Sequence, residues 1–366
     1  MTNCSIGYER WVLVNGEVLP RELVWSDENE PGIRRRRAGK GFVYRTARGT
    51  RADAATVARI KALAIPPAWT DVWICADDCG HLQATGRDAK GRKQYRYHAD
   101  YRAHRDAVKF ERLVDFATAL PKIRAQVARD LALPGMPKSK VVATVIRLLE
   151  ATLVRVGNEE YARDNGSYGL TTLRSRHAKV SPGTLRLVFK AKQGKAADVT
   201  VTDRRLVRVV QRCQDLPGQW LFQYEVDGDV RPISSSDVND YLRSVAQAPV
   251  TAKDFRTWMG TLIATTELVA LPPPASELAA NDALVKVFDT VAAELRNTRA
   301  VSRASYVHPA VVDWYRAGNL PERWDDTSAR GSAQLLAEER KLLSLLRRHQ
   351  SKRRRGSSAI PRARAA

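Results

Sequence analysis

The sequence predicts an α+β protein with a small β-rich N-terminal domain and a larger, mainly helical domain that carries a β-hairpin. Three observations lead there. Up to about residue 105, short alternating runs such as Gly41-Phe42-Val43-Tyr44 and Val72-Trp73-Ile74-Cys75 sit among Gly, Pro and Asp. From about 106 to 325, apolar residues recur at helical spacing. That spacing is broken once, by two alternating runs joined by a lysine-rich polar turn. The expected domains are 1–105, 106–325 and a basic C-terminal zone, 326–366.

Each element has its own signal. In the first domain, 52–63 reads as a helix that stops before Pro66-Pro67. In the second, 109–119 is helical, and Pro121 is expected to open a new helix that stops before Pro134-Gly135. Residues 141–156 are strongly apolar, with Gly157 as the expected C′ residue. The strands 184–189 and 197–201 flank the turn 190–195. Helices follow over 203–214, 236–246, 252–268, 282–295 and 308–317. In the third zone, 333–349 has the leucine pattern of an amphipathic helix, and a disordered basic tail containing Lys352-Arg-Arg-Arg355 is expected beyond it.

The 366 residues carry a formal net charge of +21, with 44% hydrophobic residues. That is enough apolar content for real cores, and the charge calls for a polyanionic partner. From residue 331 on, ten Lys/Arg stand against two Glu, a composition that grips phosphates without reading bases. Cys4, Cys75, Cys79 and Cys213 are too scattered for a disulfide framework, and the Cys75/Cys79 spacing has no partner pair for zinc. They are read as reduced thiols. No h-region marks a signal peptide in 1–20, and no run of 18 apolar residues exists. A cytoplasmic, nucleoid-associated protein with no membrane partner and no metal or other cofactor is expected.

Four residues stand out for chemistry. Arg155 closes an otherwise apolar helix, where the helix dipole favours a cation. Lys192 lies in the hairpin turn, able to reach a buried phosphate and donate a proton. Arg256 lies near the start of a helix, where the dipole gives it no reason to be. Tyr306 precedes Pro309, the expected first turn of a helix. Singly, a tyrosine or lysine in such a place is more often packing or solvated surface than chemistry.

As an ordered set, Arg, Lys, Arg and Tyr resemble the type IB DNA topoisomerases, most closely the small bacterial and poxvirus enzymes. Arg155-Val-Gly157 with Tyr161 and Gly169-Leu-Thr-Thr-Leu173 resembles the segment of the first catalytic arginine. Phe189-Lys-Ala-Lys192 resembles the lysine hairpin. Its usual Gly is Ala191 here, so Lys190 and Lys195 stay open as alternatives. Lys253-Asp-Phe-Arg256-Thr257 resembles the second-arginine motif, and Ser302-Arg-Ala-Ser-Tyr306 the nucleophile segment. The histidine that poxvirus and nuclear relatives carry nine residues before the nucleophile is Asn297 here. Asn297 donates a hydrogen bond at any pH but cannot protonate anything. Gln83-Ala-Thr-Gly86, Gly91-Arg-Lys-Gln-Tyr-Arg-Tyr97 and Arg34 to Arg37 extend the resemblance to the N-terminal domain.

The resemblance implies that Arg155, Lys192, Arg256, Asn297 and Tyr306 are catalytic. It implies that Gln94, Tyr95, Tyr97, Tyr161 and Lys253 contact DNA. The activity implied is relaxation of supercoiled duplex DNA by a monomer, through a 3′-phosphotyrosyl intermediate, without ATP or metal. Two alternatives remain. A tyrosine site-specific recombinase shares the set, but usually has an all-helical N-terminal domain and a histidine where Asp254 stands. A basic, non-enzymatic DNA-binding protein explains the charge but not the ordered residues.

Overall fold

The structure, a computed structural model, describes residues 11–14, 17–20, 22–327 and 330–358, with side chains for 22–192, 194–327 and 330–352. Cys4 and the end of the basic tail, 359–366, lie outside the described residues. The chain divides into two compact units, Met1–Lys109 and Phe110–Ala366.

The first unit begins with the hairpin β1 (Trp11–Val14) and β2 (Glu17–Pro20). Its main sheet uses β3 (Ile33–Ala38), β4 (Gly41–Arg45), β5 (Thr70–Ile74), β6 (Leu82–Arg87) and β7 (Lys93–Tyr97). All neighbours are antiparallel, in the order β4-β3-β5-β6-β7. One face buries Ile33, Val72, Ile74 and Ala84 against Ile60 of helix α1 (Ala54–Ala62). Asp53 caps α1 by accepting from Thr56 N at 2.7 Å. On the other face, register aligns Arg34, Trp73, Thr85 and Tyr95 in one row. β7 is an edge strand, so its outward residues stay exposed.

Helix α2 (Ala99–Leu131) crosses the division between the units. The expected break at Pro121 does not occur. An interior proline costs about 3 kcal/mol, but Leu113, Phe116, Ala117, Leu120, Ile123 and Val127 are buried on both sides of it, and that packing holds the helix in one piece. Helix α3 (Lys138–Thr152) ends earlier than its apolar run suggests. Leu153 takes the left-handed conformation at φ 54°, and its N–H caps Leu149 O. Arg155 therefore lies three residues beyond the helix, not in its last turn, and Gly157 is not the C′ residue.

α4 (Glu159–Asn165) follows, and then a three-stranded sheet, where the sequence suggested only a two-stranded hairpin. Its strands are β8 (Ala178–Ser181), β9 (Thr184–Lys190) and β10 (Ala196–Thr202), in the order β10-β9-β8. Alternation buries Leu185, Leu187, Phe189, Ala197, Val199 and Val201 and leaves the other face exposed. The remaining elements are α5 (Arg204–Asp215), the hairpin β11 (Gln223–Val226) with β12 (Asp229–Pro232), and α6 (Ser235–Ala246). Then come α7 (Ala252–Val269), α8 (Glu277–Leu295), α9 (Arg299–Ser305), α10 (Pro309–Arg316), α11 (Leu320–Asp325) and α12 (Ala337–Ser358).

The C-terminal helix docks on the core through buried Leu342, Leu343, Leu345 and Leu346. Glu339, fully buried, accepts both Arg124 terminal nitrogens, at 2.7 and 2.8 Å, and the Trp258 indole N–H at 3.2 Å. The run Lys352 to Arg355 lies on this helix, a correction to the disordered tail expected there. Cys75, Cys79 and Cys213 are free thiols, and no helix among the described residues is long and apolar enough to cross a membrane.

Candidate active site

The site is built where three segments distant in sequence meet in the second unit. The first is the extended stretch after α3. Leu170 N donates to Arg155 O (2.9 Å) and Thr171 N to Val156 O (2.7 Å), stapling residues 155–156 to 170–171. The staple is tight. A β-carbon on Gly169 would stand 2.6 Å from Arg155 O and from Gly157 Cα, so only glycine fits. This explains the Arg-Val-Gly and Gly-Leu-Thr-Thr motifs as two sides of one contact that aims Arg155.

The second segment is α7. Thr251 and Asp254 form a capping box, with Thr251 N donating to the Asp254 carboxylate at 2.7 Å. Asp254 thus has a structural task at the helix start. Arg256, one turn in, is 3% exposed. It donates to Leu153 O, and to Leu295 O at 2.7 Å. These carbonyls lie at the C-terminal ends of α3 and α8, where unpaired carbonyls favour a cation. The third segment runs from the end of α8 to Tyr306. Asn297 N donates to Ala292 O (2.8 Å) and Arg296 N to Ala293 O (3.1 Å), the Schellman pattern, with Arg296 at φ 51°. That turn delivers Asn297 inward.

Arg155 Nη2 and Arg256 Nη2 both donate to Asn297 Oδ1, the latter at 3.2 Å. Asn297 Nδ2 and Arg256 Nε are buried with no partner in the structure. Buried donors are nearly always satisfied, so two orphans on side chains that touch each other suit an acceptor brought by a substrate. The Arg256 guanidinium carbon lies 5.2 Å from the Tyr306 ring centroid. Burial draws the Arg256 pKa down to about 10, partly offset by Tyr306 and reinforced by Arg155. Burial alone would raise the Tyr306 phenol. Arg256 first, then Arg155 and Lys253, outweigh it and hold the phenol below its usual range. Lys192 sits in the 3₁₀ turn between β9 and β10 and lines the same pocket as Arg155 and Arg256. Lys195 from that turn donates to Asn297 O at 2.8 Å.

The family profile describing the catalytic core of eukaryotic DNA topoisomerase I matches residues 98–319. A second profile, the N-terminal domain of bacterial DNA topoisomerase IB, matches 41–88. The chain is 34% identical over 303 residues to DNA topoisomerase 1B of Acanthamoeba polyphaga mimivirus, covering 80% of this chain and 89% of that relative. The chain belongs to the type IB DNA topoisomerase family. More distant likenesses are to DNA topoisomerase 1 of Mycosarcoma maydis, 26% identical over 50% of this chain and 21% of the relative, and to DNA topoisomerase 1B of Vaccinia virus (strain Copenhagen), 24% identical over 37% of this chain and 45% of the relative.

A type IB topoisomerase is an isomerase that works on DNA, and Arg155, Lys192, Arg256, Asn297 and Tyr306 all fall within the core match at 98–319. In the second unit, Tyr161 (47% exposed, on α4) and Lys253 (exposed, at the start of α7) face solvent. In the first unit, Tyr95 and Tyr97 stack with centroids 6.0 Å apart and rings 10° from parallel. Lys93 Nζ lies 5.5 Å from the Tyr95 centroid. Gln94 does not join them. Strand alternation turns it to the other face of β7, half-buried, where it donates to Asp88 Oδ2 at 3.1 Å. The arginine run also divides. Arg35 is half-buried over Phe42 and donates to Pro66 O and Trp69 O, while Arg34 and Arg36 stay exposed on the opposite face. Sequence reasoning missed Gly260. A β-carbon there would collide with Tyr306, and only an unexplained glycine inside α7 hinted at it.

Proposed function

We propose that this topoisomerase relaxes supercoiled duplex DNA by nicking one strand through Tyr306 and resealing it. The observation that carries the proposal is the pair of orphaned buried donors, Arg256 Nε and Asn297 Nδ2, beside a phenol lowered by the same arginine. A phosphodiester supplies the missing acceptors. The Tyr306 oxygen attacks the scissile phosphorus as its phenolic proton leaves to solvent. Arg155, Arg256 and Asn297 hold the nonbridging oxygens as charge grows on them. One preorganised donor of this kind is worth roughly 3–4 kcal/mol. The P–O5′ bond breaks and Lys192 protonates the departing O5′. The 3′-phosphotyrosine keeps the bond energy, the free end turns, and the reverse reaction restores the strand.

The cations come from the protein, so the reaction is proposed to need neither ATP nor metal. The stacked Tyr95 and Tyr97, with Tyr161 and Lys253, are the proposed DNA contacts, and the enzyme is proposed to act as a monomer on cytoplasmic, nucleoid DNA. Supercoiled plasmid in EDTA without ATP tests the reading. Wild type should relax it and form a covalent adduct, and Tyr306→Phe should do neither. A wild type that leaves the plasmid supercoiled would overturn the proposal.

A further inference from the structure

Arg296 occupies the left-handed C-cap of α8, at φ 51°, a position where glycine fits without strain. Here an arginine stands there, and its side chain folds back across the end of α3. Nη1 donates to Thr152 O at 2.9 Å and more weakly to Glu294 O at 3.4 Å. The residue is half-buried and lines the same pocket as Arg155, Lys192 and Arg256. No carboxylate forms an ion pair with it among the described residues. Its charge adds to the pressure that lowers Arg256.

Three guanidinium groups and an ammonium around one small pocket repel one another unless anions are present. Arg155, Arg256 and Asn297 converge on a single point, because both arginines reach the same Asn297 oxygen. One phosphate with two nonbridging oxygens saturates those three donors. Arg296 is a cation beyond that need, anchored by one nitrogen and with the rest of its fork unassigned. DNA presents a second phosphate immediately along the strand.

We propose that Arg296 binds the phosphate next to the scissile one on the cleaved strand, and so positions that strand for in-line attack by Tyr306. The inference rests on the phosphoryl-transfer reading above. It makes Arg296 a positioning residue, acting through the neighbouring phosphodiester rather than on the reacting atoms.

Arg296→Gln and Arg296→Lys test it. Glutamine removes the charge, retains an amide to reach Thr152 O, and suits this backbone, as Gln247 does at φ 53° on the C-cap of α6. In a Tyr306→Phe background, where no covalent bond forms, duplex binding is measured against salt. Arg296→Gln should lower the slope of log K against log[salt] by about 0.9, the loss of one phosphate contact, and Arg296→Lys should retain it. With Tyr306 present, Arg296→Gln should slow single-turnover cleavage about tenfold, the order expected for one charged hydrogen bond. That penalty should vanish on a duplex whose contacted flanking phosphate is replaced by a neutral methylphosphonate. An unchanged salt slope, or a penalty that persists with either flanking phosphate neutralised, overturns the proposal. Failure of the underlying reading shows itself separately, as a wild type that forms no covalent adduct on the unmodified duplex.

Discussion

Gly260 lies one helical turn beyond Arg256 on α7, and a β-carbon there would stand 2.7 Å from the carbonyl oxygen of Tyr306 and 3.1 Å from its Cβ. The Tyr306 segment can therefore press against the helix that carries Arg256. Thr261, the next residue, accepts from His308 N at 3.1 Å and fixes the chain just past Tyr306. Alanine is favoured over glycine inside a helix by about 1 kcal/mol, so Gly260→Ala would stabilise an unencumbered α7. Here it should instead push Tyr306 away from Arg256. The expected outcome is a lower melting temperature together with cleavage slowed more than tenfold, the scale on which small misplacements act. Wild-type cleavage by Gly260→Ala would show that the close approach is not required.

The lowered Tyr306 phenol sets a pH dependence. If the phenolate attacks, single-turnover cleavage rises with pH and levels off below pH 10, the ordinary value for tyrosine. Replacing Arg256 by Gln leaves burial unopposed by its main counter-charge, so the inflection should move upward. The plateau should also fall by a hundredfold or more, roughly the loss of one transition-state donor. A pH–rate profile of the two proteins decides it, and an inflection that stays put in Arg256→Gln would separate the arginine from phenol activation.

Asn297→Asp separates stability from catalysis. The carboxylate would accept from Arg155 and Arg256 as the amide oxygen does now, and as an ion pair the contact should be at least as strong. The same change removes the orphaned Nδ2 donor and puts a negative charge where a phosphate must bind. The fold should melt at or above the wild-type temperature while cleavage falls by about a hundredfold. Cleavage near the wild-type rate would remove Asn297 from the site.

Lys192 and Lys195 share one turn but face different tasks. Lys195 is engaged with Asn297 O, whereas Lys192 lines the pocket. A duplex with sulfur in place of the bridging O5′ has a leaving group that needs no proton. Lys192→Ala should be slow on the ordinary duplex and close to wild type on the sulfur-bridged one. Lys195→Ala should show a smaller defect, similar on both. If the sulfur substrate rescues Lys195→Ala instead, the general acid is Lys195.

The docking of α12 depends on ionised Glu339. Burial raises its pKa, but the bidentate contact with Arg124 reverses this and lowers it below its ordinary 4.5. The contribution to stability is therefore complete above about pH 4.5 and fades as pH falls through the lower folded value. Glu339→Gln leaves Arg124 with Glu150 as its remaining carboxylate, 2.6 Å from Nε, and should cost about 2 kcal/mol at neutral pH, the order of one charged hydrogen bond. Thermal melts from pH 7 down to 3 should show the wild type losing this margin in acid while Glu339→Gln does not.

Much of this protein is written locally. The 3.6-residue and two-residue periods located most of the long helices and the β9–β10 hairpin, because those patterns record which face each segment buries. Arg155, Lys192, Arg256, Asn297 and Tyr306 stand out in the sequence because they lie in family-like motifs, and all five fall within the core match at 98–319. Other features depended on contacts between distant residues. Local pattern ran the α3 helix through Arg155, but Leu153 turns left-handed and Gly169 packs on the following strand, 12 residues after Gly157. Pro121 reads as a boundary, and only the packing on both sides of it keeps α2 continuous. Gln94 adjoins Tyr95 in sequence and faces away from it in space. The convergence of both arginines on Asn297 joins residues up to 142 positions apart. No local period encodes such pairings. They follow from how the helix ends and glycines let the segments approach, and that is what sets Tyr306 beside Arg256.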